Sequence, residues 1–552
     1  MNGSVLQRIA AVVILVVSIG LAYANTFTVP FIFDDTINIL ENGSIRQLWP
    51  PWHSFDIPKD TGLMGRPVVN VSLAINYAVS GSKVWSYHLA NLVTHISAAL
   101  ILLLILLRTL KFTGWGNRHP GGVFLFSWAC ALLWGLHPLQ TQAVTYVIQR
   151  CESLMAFFLL LTIYGAVRGW QSAVARPWHL LSIFFFILAI GSKEVAAVAP
   201  FLLLSYEWAF RGNHPLKAVR LSPLLYAGLA LGLLLAVVMT VNGNTLISRT
   251  EQVPIDPIRY WITQCQVILH YLRLAVWPSG LTIDYGWPVA TWQEAWTAVV
   301  AILILFGISD RALWRRHPLG FPAVSFFLLL APTSLIPLPD PAFEHRMYLP
   351  LAVLVPILVG IAVDIYARGT RLLNMQAVSQ AALSGKAAVV MVVSLGLILG
   401  GLSYQRNGDY RSEKAIWSDT ILKRPDNFRG YHGLGLALSR EGRFDEALNN
   451  LGVAIKLNPN NSYVYNDAGF VLFLMKRYDE SIPLFRKAIQ IKTLNPKAHN
   501  NLGAALAQTN RLEEAAVHFR SAVAMKPDYA SARNNLALAE AALTRRGSGQ
   551  PQ

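Results

Sequence analysis

The chain has 552 residues, 54% of them hydrophobic and only 14% charged, against roughly 25% charged in ordinary soluble domains. A single soluble enzyme is excluded. The net charge of +16 would indicate nucleic acid in a soluble protein, but here a membrane accounts for most of it, and no nucleic-acid partner is expected. Charge is also uneven: about 10% of residues 1–404 and about 24% of residues 405–552 are charged. The first part reads as a polytopic membrane domain and the second as a soluble one. Cys130, Cys151 and Cys265 lie in or beside apolar stretches without metal-ligand spacing, so neither a disulfide framework nor a zinc site is indicated.

In chain order, the N-terminus MNGSVLQRIAAVVILVVSIGLAYA has the look of a signal peptide ending in Ala22-Tyr23-Ala24, or of a first span. A crossing helix needs about 20 mostly apolar residues. Eleven segments qualify, at about 9–27, 86–107, 121–137, 151–168, 178–192, 194–210, 221–241, 293–308, 319–338, 347–366 and 387–404. The stretch 258–277 carries Gln264, Gln266, His270 and Arg273 at amphipathic spacing and reads as interfacial. With the N-terminus inside, fifteen Lys and Arg residues fall in the inner loops, nearly free of acids. Letting 258–277 cross would move Arg311, Arg315 and Arg316 outside, against the positive-inside rule. An odd span count places the C-terminal part outside. The organisation expected is a membrane domain over 1–404 with a first outer loop at 28–85, a connecting helix over 405–427, repeats with a capping helix over 428–544, and a disordered tail over 545–552.

Ionisable residues at membrane-helix ends are costly and mark sites. On the outer side they are Asp34 and Asp35 after the first span, Arg66 in the first outer loop, His88 at the second span, and His137 after the third. Arg150 and Glu152 open the fourth, Lys193 and Glu194 join the fifth and sixth, and Glu344, His345 and Arg346 precede the tenth. Two acids near several cations fit transfer from a lipid phosphate: one acid takes a proton from an acceptor hydroxyl, and the cations neutralise the departing phosphate. Each has a plainer reading: a helix end in water, a surface ion pair, an arginine snorkelling to headgroups, a helix terminator.

Toward the C-terminus a 34-residue period aligns Gly435, Gly469 and Gly503 with Ala454, Ala488 and Ala522, the spacing of tetratricopeptide repeats. Three repeats are expected over about 428–529, and such arrays hold protein partners. Asn466-Asp467, Asn500-Asn501 and Asn534-Asn535 recur at one offset. Amides at one pitch either pair with an extended peptide backbone or bridge neighbouring helices.

The blocks FDDT at 33–36, RPVVNVSLAINYAVSG at 66–81, YHLANLVTH at 87–95, HPLQTQAVTYVIQRCESL at 137–154, SKEVAAVAPFLLL at 192–204 and HRMYLP at 345–350, followed by repeats, resemble the transmembrane and tetratricopeptide repeat-containing protein O-mannosyltransferases and their bacterial relatives, of the C-type glycosyltransferase superfamily. The resemblance implies an all-α fold, a polytopic bundle of about 11 spans with a repeat solenoid. It also implies an inverting glycosyltransferase that moves one sugar, mannose or another hexose, from a polyprenyl phosphate to Ser/Thr of an acceptor protein held by the repeats. Asp34 and Asp35 match its acidic motif, one of them being the base; Arg150, Lys193, Arg346 and Arg66 match positions that hold the donor phosphate, with His88, His137, Glu152 and Glu194 in support. Asn466, Asn500, Asn501 and Asn534 would contact peptide. Mg2+ or Mn2+ on Asp34 and Asp35 is left open, and no other cofactor is expected. Gln142 departs from the pattern, which has Glu in that block. A bacterial inner membrane with periplasmic repeats is expected, or an endoplasmic-reticulum membrane with luminal repeats in a eukaryote. Alternatives are a lipid or polysaccharide acceptor, a lipid-linked-sugar transporter, and a membrane-anchored assembly factor without catalysis.

Overall fold

The structure, a computed structural model, describes residues 3–58, 61–111, 113–114, 120–242, 255–372 and 386–547, and no strand occurs among them. Two compact units are present: Met1–Leu281 with Trp287–Ser412, and Thr282–Gly286 with Glu413–Gln552.

The first unit is built inside out relative to a soluble protein. Leu303 is 65% exposed and Leu397 71%, whereas Asp35, Asn91, His95 and Glu207 are buried. Apolar faces of that extent are stable only against another apolar medium, and backbone groups in such a medium must be satisfied within helices. Among the described residues, five helices are long and apolar enough to cross a bilayer: Val5–Thr28, Trp85–Leu110, Val147–Gln171, Trp292–Trp314 and Ala388–Asp409. Counting two bent pairs as single spans brings the number to seven. The expected eleven includes shorter or broken segments. Around 194–210 the chain runs as a 3-10 turn Glu194–Val198, a helix Ala199–Tyr206 and a π turn Glu207–Arg211. The third segment ends at Gly135 and resumes beyond Pro138 with a bend of 53°, because proline opens a helix and cannot continue one. The stretch expected at 258–277 is a helix, Pro257–Val276.

Two of these breaks, at Glu194–Val198 and between Gly135 and Pro138, lie where singled-out polar residues lie. Helices Arg150–Gln171 and Arg176–Ser192 form a hairpin, and Gly165 lets Ser182 approach closely enough to donate to the Thr162 carbonyl at 2.8 Å. Close approach through small residues is how helices associate in lipid, where burying apolar surface yields nothing.

In the second unit, helix Glu413–Lys423 precedes three antiparallel pairs: Phe428–Arg440 with Phe444–Leu457, Ser462–Leu474 with Tyr478–Ile491, and Pro496–Gln508 with Leu512–Met525. Asn427, Asn461 and Asn495 cap the first helix of each pair, accepting from the backbone N–H of Arg429, Tyr463 and Ala498 at 3.0, 3.0 and 3.1 Å; such caps contribute about 1 kcal/mol each. A side chain at Gly503 would lie 2.7 Å from the Phe519 ring, so the period's glycines let the paired helices close. The sequence reading did not foresee that Thr282–Gly286 belongs to this unit. Asp284 there pairs with Arg429 at 2.6 Å and accepts from Asn427, and Thr282 donates to Thr420 at 3.2 Å. The closing helix runs over Ala530–Gly547, past the expected end at 544; the rest of the expected tail, 548–552, lies outside the described residues.

Candidate active site

The segment after the first span turns sharply at Phe33, a non-glycine residue with φ of 49°. That left-handed conformation costs about 1–2 kcal/mol and persists only where surrounding contacts enforce it. Asp34 and Asp35 follow directly, and the structure gives them different work. Asp35 is fully buried, and its two oxygens accept main-chain N–H groups from Ile32 at 3.2 Å and Ile148 at 2.8 Å. It splices the loop to the turn ahead of helix Arg150–Gln171. Burial pushes its pKa up, while those N–H groups and the Arg150 charge pull it down.

Asp34 is half-buried. Its backbone N–H donates to the Tyr146 hydroxyl at 2.9 Å, its carbonyl accepts from Asn38 at 2.7 Å, and its carboxyl is hydrogen-bonded to Tyr146. Burial raises its pKa to about 6 against that hydroxyl, and the like charge of Asp340 adds to the rise. Asp34 therefore offers a basic carboxylate to an incoming group, and Asp35 does not.

The cations also divide. Arg150, 1% exposed, donates to Asn91 Oδ1 at 2.6 Å, the Tyr87 carbonyl at 2.7 Å, Ser72 at 3.3 Å and Asn76. Expected to hold a donor phosphate, it instead ties three helices together through its guanidinium. Lys193 pairs with buried Glu152 and not with neighbouring Glu194, which is the partner of Arg66 at 3.3 Å. Arg346 donates to two main-chain carbonyls, Pro341 at 2.6 Å and Asp340 at 2.7 Å. Carbonyls orient its charge without cancelling it.

His88 and His137 meet main-chain groups. His88 Nε2 lies 2.9 Å from the Val29 carbonyl, and His137 spans the Leu139 N–H and the Ala275 carbonyl. The alternating acids and bases Arg66, Glu194, Glu152, Lys193, His345 and Arg346 instead form one charged cluster: His345 Nε2 lies 3.9 Å from Glu152 Oε1 and feels the charges of Lys193, Arg346 and Arg66. Asp340, which feels Asp34 and whose carbonyl holds Arg346, continues it toward the acidic loop. Beside the cluster runs a cleft with Glu152 and Arg346 at its polar part and Met155, Val195, Leu329 and Leu349 in its walls.

Sequence reasoning missed Tyr146, Asp340 and Arg406. Arg406 is a buried cation near the end of its helix, 4.0 Å from buried Glu344 and 2.9 Å from Asp409; a charge so close to an apolar run was the available signal. Gln142, noted only as a departure, bonds to His345. Each Asp35 oxygen accepts one main-chain N–H, and no group of three or more His, Cys, Asp or Glu side chains suited to a metal occurs among the described residues.

In the second unit the repeated amides bridge helices. Asn535 donates to Asn500 and Asn501 to Asn466, both at 3.0 Å, and the ladder ends on Asp467, which His432 meets at 2.7 Å. Asn466 and Asn500 are buried, whereas Asn534 is exposed.

Residues 428–461 and 462–528 match tetratricopeptide repeat families. Over 82% of its length the chain is 22% identical to a protein O-mannosyl-transferase of Caenorhabditis elegans, of which the match covers 63%. It is 28% identical to protein O-mannosyl-transferase TMTC4 of Mus musculus over 32% of this chain and 26% of that one, and 25% identical to Tmtc2 of Drosophila melanogaster over 54% and 29%. The chain thus spans less than two thirds of these relatives' lengths. The chain is similar to the protein O-mannosyl-transferases along most of its length, and residues 428–528 are tetratricopeptide repeats.

Proposed function

We propose that this chain is a membrane glycosyltransferase that moves a single sugar, mannose or another hexose, from a polyprenyl-phosphate donor to a Ser/Thr hydroxyl of a protein on the outer face of its membrane. The observation that carries the reading is the division within the acidic pair: Asp35 holds the loop by two main-chain N–H groups, while half-buried Asp34, with a pKa of about 6, stands free of that duty and feels Asp340, whose carbonyl holds Arg346. A general base works best with a pKa near the operating pH. The similarity to proteins named protein O-mannosyl-transferases supports a sugar transferred to protein.

In the reaction, Asp34 takes the acceptor hydroxyl's proton as the oxygen bonds to the anomeric carbon, and the bond from that carbon to the phosphate oxygen breaks with inversion. The donor phosphodiester carries one negative charge and the leaving polyprenyl phosphate two. Arg346 faces that extra charge most effectively, since carbonyls hold its guanidinium. Lys193 and Arg66, each paired with a glutamate, contribute at longer range. In this proposal the polyprenyl chain approaches past the apolar side chains beside Glu152 and Arg346, namely Met155, Val195, Leu329 and Leu349. Arg150 acts only by holding the helices that carry the site. The eleven-span topology, with repeats on the same side as Asp34, belongs to this proposal, as does a bacterial inner membrane. The test is transfer of radiolabelled mannose from polyprenyl-phosphate-mannose, then of other hexoses, to protein by purified enzyme. Asp34→Asn in folded protein is expected to abolish labelling; full activity in that variant would sink the assignment of Asp34 as the base, and no transfer by the wild type from any donor would favour a non-catalytic adaptor.

A further inference from the structure

Gln142 is 1% exposed, and its side-chain oxygen accepts the main-chain N–H of His345 at 2.8 Å while facing the ring Nδ1 at 3.2 Å. These contacts join positions 203 residues apart. An amide oxygen only accepts hydrogen bonds, so Nδ1 carries the proton and Nε2 keeps its lone pair, 3.9 Å from Glu152 Oε1. The groups facing the imidazole are Glu152 and Lys193 from the hairpin side, Arg66 from the first outer loop, Arg346 on its own turn, and the Phe343 ring, stacked at 5.0 Å. Burial and the three cations hold His345 neutral. The turn Glu344–Met347 that Gln142 grips also delivers Arg346 to the cleft.

We infer that Gln142 is a positioning residue for the donor phosphate: it clamps the His345 main chain and ring, which places Arg346, and it does so without adding a negative charge to the phosphate site. The inference rests on the reading of this cluster as the donor site. A carboxylate at 142 would accept the same two bonds but stabilise an imidazolium. Through titration of that imidazole the site would lose a positive charge as pH rises, and donor affinity would fall with it.

The test uses full-length protein in nanodiscs, measuring donor KM and kcat from pH 6.5 to 8.5 and, separately, binding of undecaprenyl phosphate. The wild type is expected to show a nearly flat donor KM. In Gln142→Glu the KM should rise by roughly tenfold across the range, with kcat at saturating donor changed less than about twofold. Gln142→Leu, which removes both bonds, should weaken undecaprenyl phosphate binding at every pH, and Gln142→Asn serves as an uncharged control that shortens the reach. A flat, unchanged KM in Gln142→Glu together with normal lipid binding in Gln142→Leu would overturn the inference while leaving the transferase standing. If the wild type binds no undecaprenyl phosphate, the donor-site reading fails and takes this inference with it.

Discussion

The two units handle charge in opposite ways. In the repeats, Arg443–Glu446, Arg477–Glu480 and Arg511–Glu514 recur at the same place in each second helix, three residues apart and open to solvent. In the membrane unit, Lys193–Glu152, Arg406–Glu344 and the Arg150 network are buried and join residues 41 to 78 positions apart. Exposed pairs between neighbours are screened by water and contribute little. Buried charges must repay their desolvation through several good bonds, and removing one partner strands the rest. A repeated exposed pair therefore reports a shared helix register, while a non-repeated buried one reports a site or the strut that holds it.

The sharpest break of that contrast is Asp34→Asn, expected to lower kcat by roughly 10^2–10^4, the usual range for a lost acid-base group, with the melting temperature in detergent unchanged. Arg150→Ala should instead cost about 3–5 kcal/mol of stability, seen as lost yield and a lowered melting temperature; unchanged stability would show that its network is not a strut. In the repeats the comparable loss must come from packing: Phe485→Ala, fully buried against Gly469, should cost about 3–5 kcal/mol in thermal unfolding of the full chain. Asp340→Asn tests the acidic loop more finely. Catalysis needs ionised Asp34, so activity should rise as pH climbs through about 6; removing the neighbouring negative charge makes Asp34 a stronger acid, and the acid limb should move to lower pH. The smallest effect is expected from Arg477→Ala, whose exposed pair with Glu480 should leave the melting temperature within error; a clear drop would place that pair among the structural contacts.

The repeat unit was largely legible because its contacts are local and periodic: glycine, alanine and aromatic positions return every 34 residues, and each does the same packing job. The Asn466 to Asn535 amides show where that legibility ends. Their period was visible, but whether they face a ligand or each other depended on how neighbouring first helices align. In the membrane unit, Asp34, Lys193 and Arg346 stood out because charge is rare there. Which of them are engaged did not, since Arg150 and Arg346 look alike in sequence and differ only in what surrounds their guanidinium groups.

By itself the sequence determined the all-helical class, the repeat array and the set of polar residues at the ends of apolar runs, since hydropathy, period and composition act over a few turns of chain. Only the tertiary structure separated Asp34 from Asp35, spent Arg150 on three helices, joined Lys193 to Glu152 and gave Gln142 its hold on His345. These depend on which loops meet, and in a buried site of low dielectric the identity of the nearest partner decides whether a charge braces the fold or remains for chemistry.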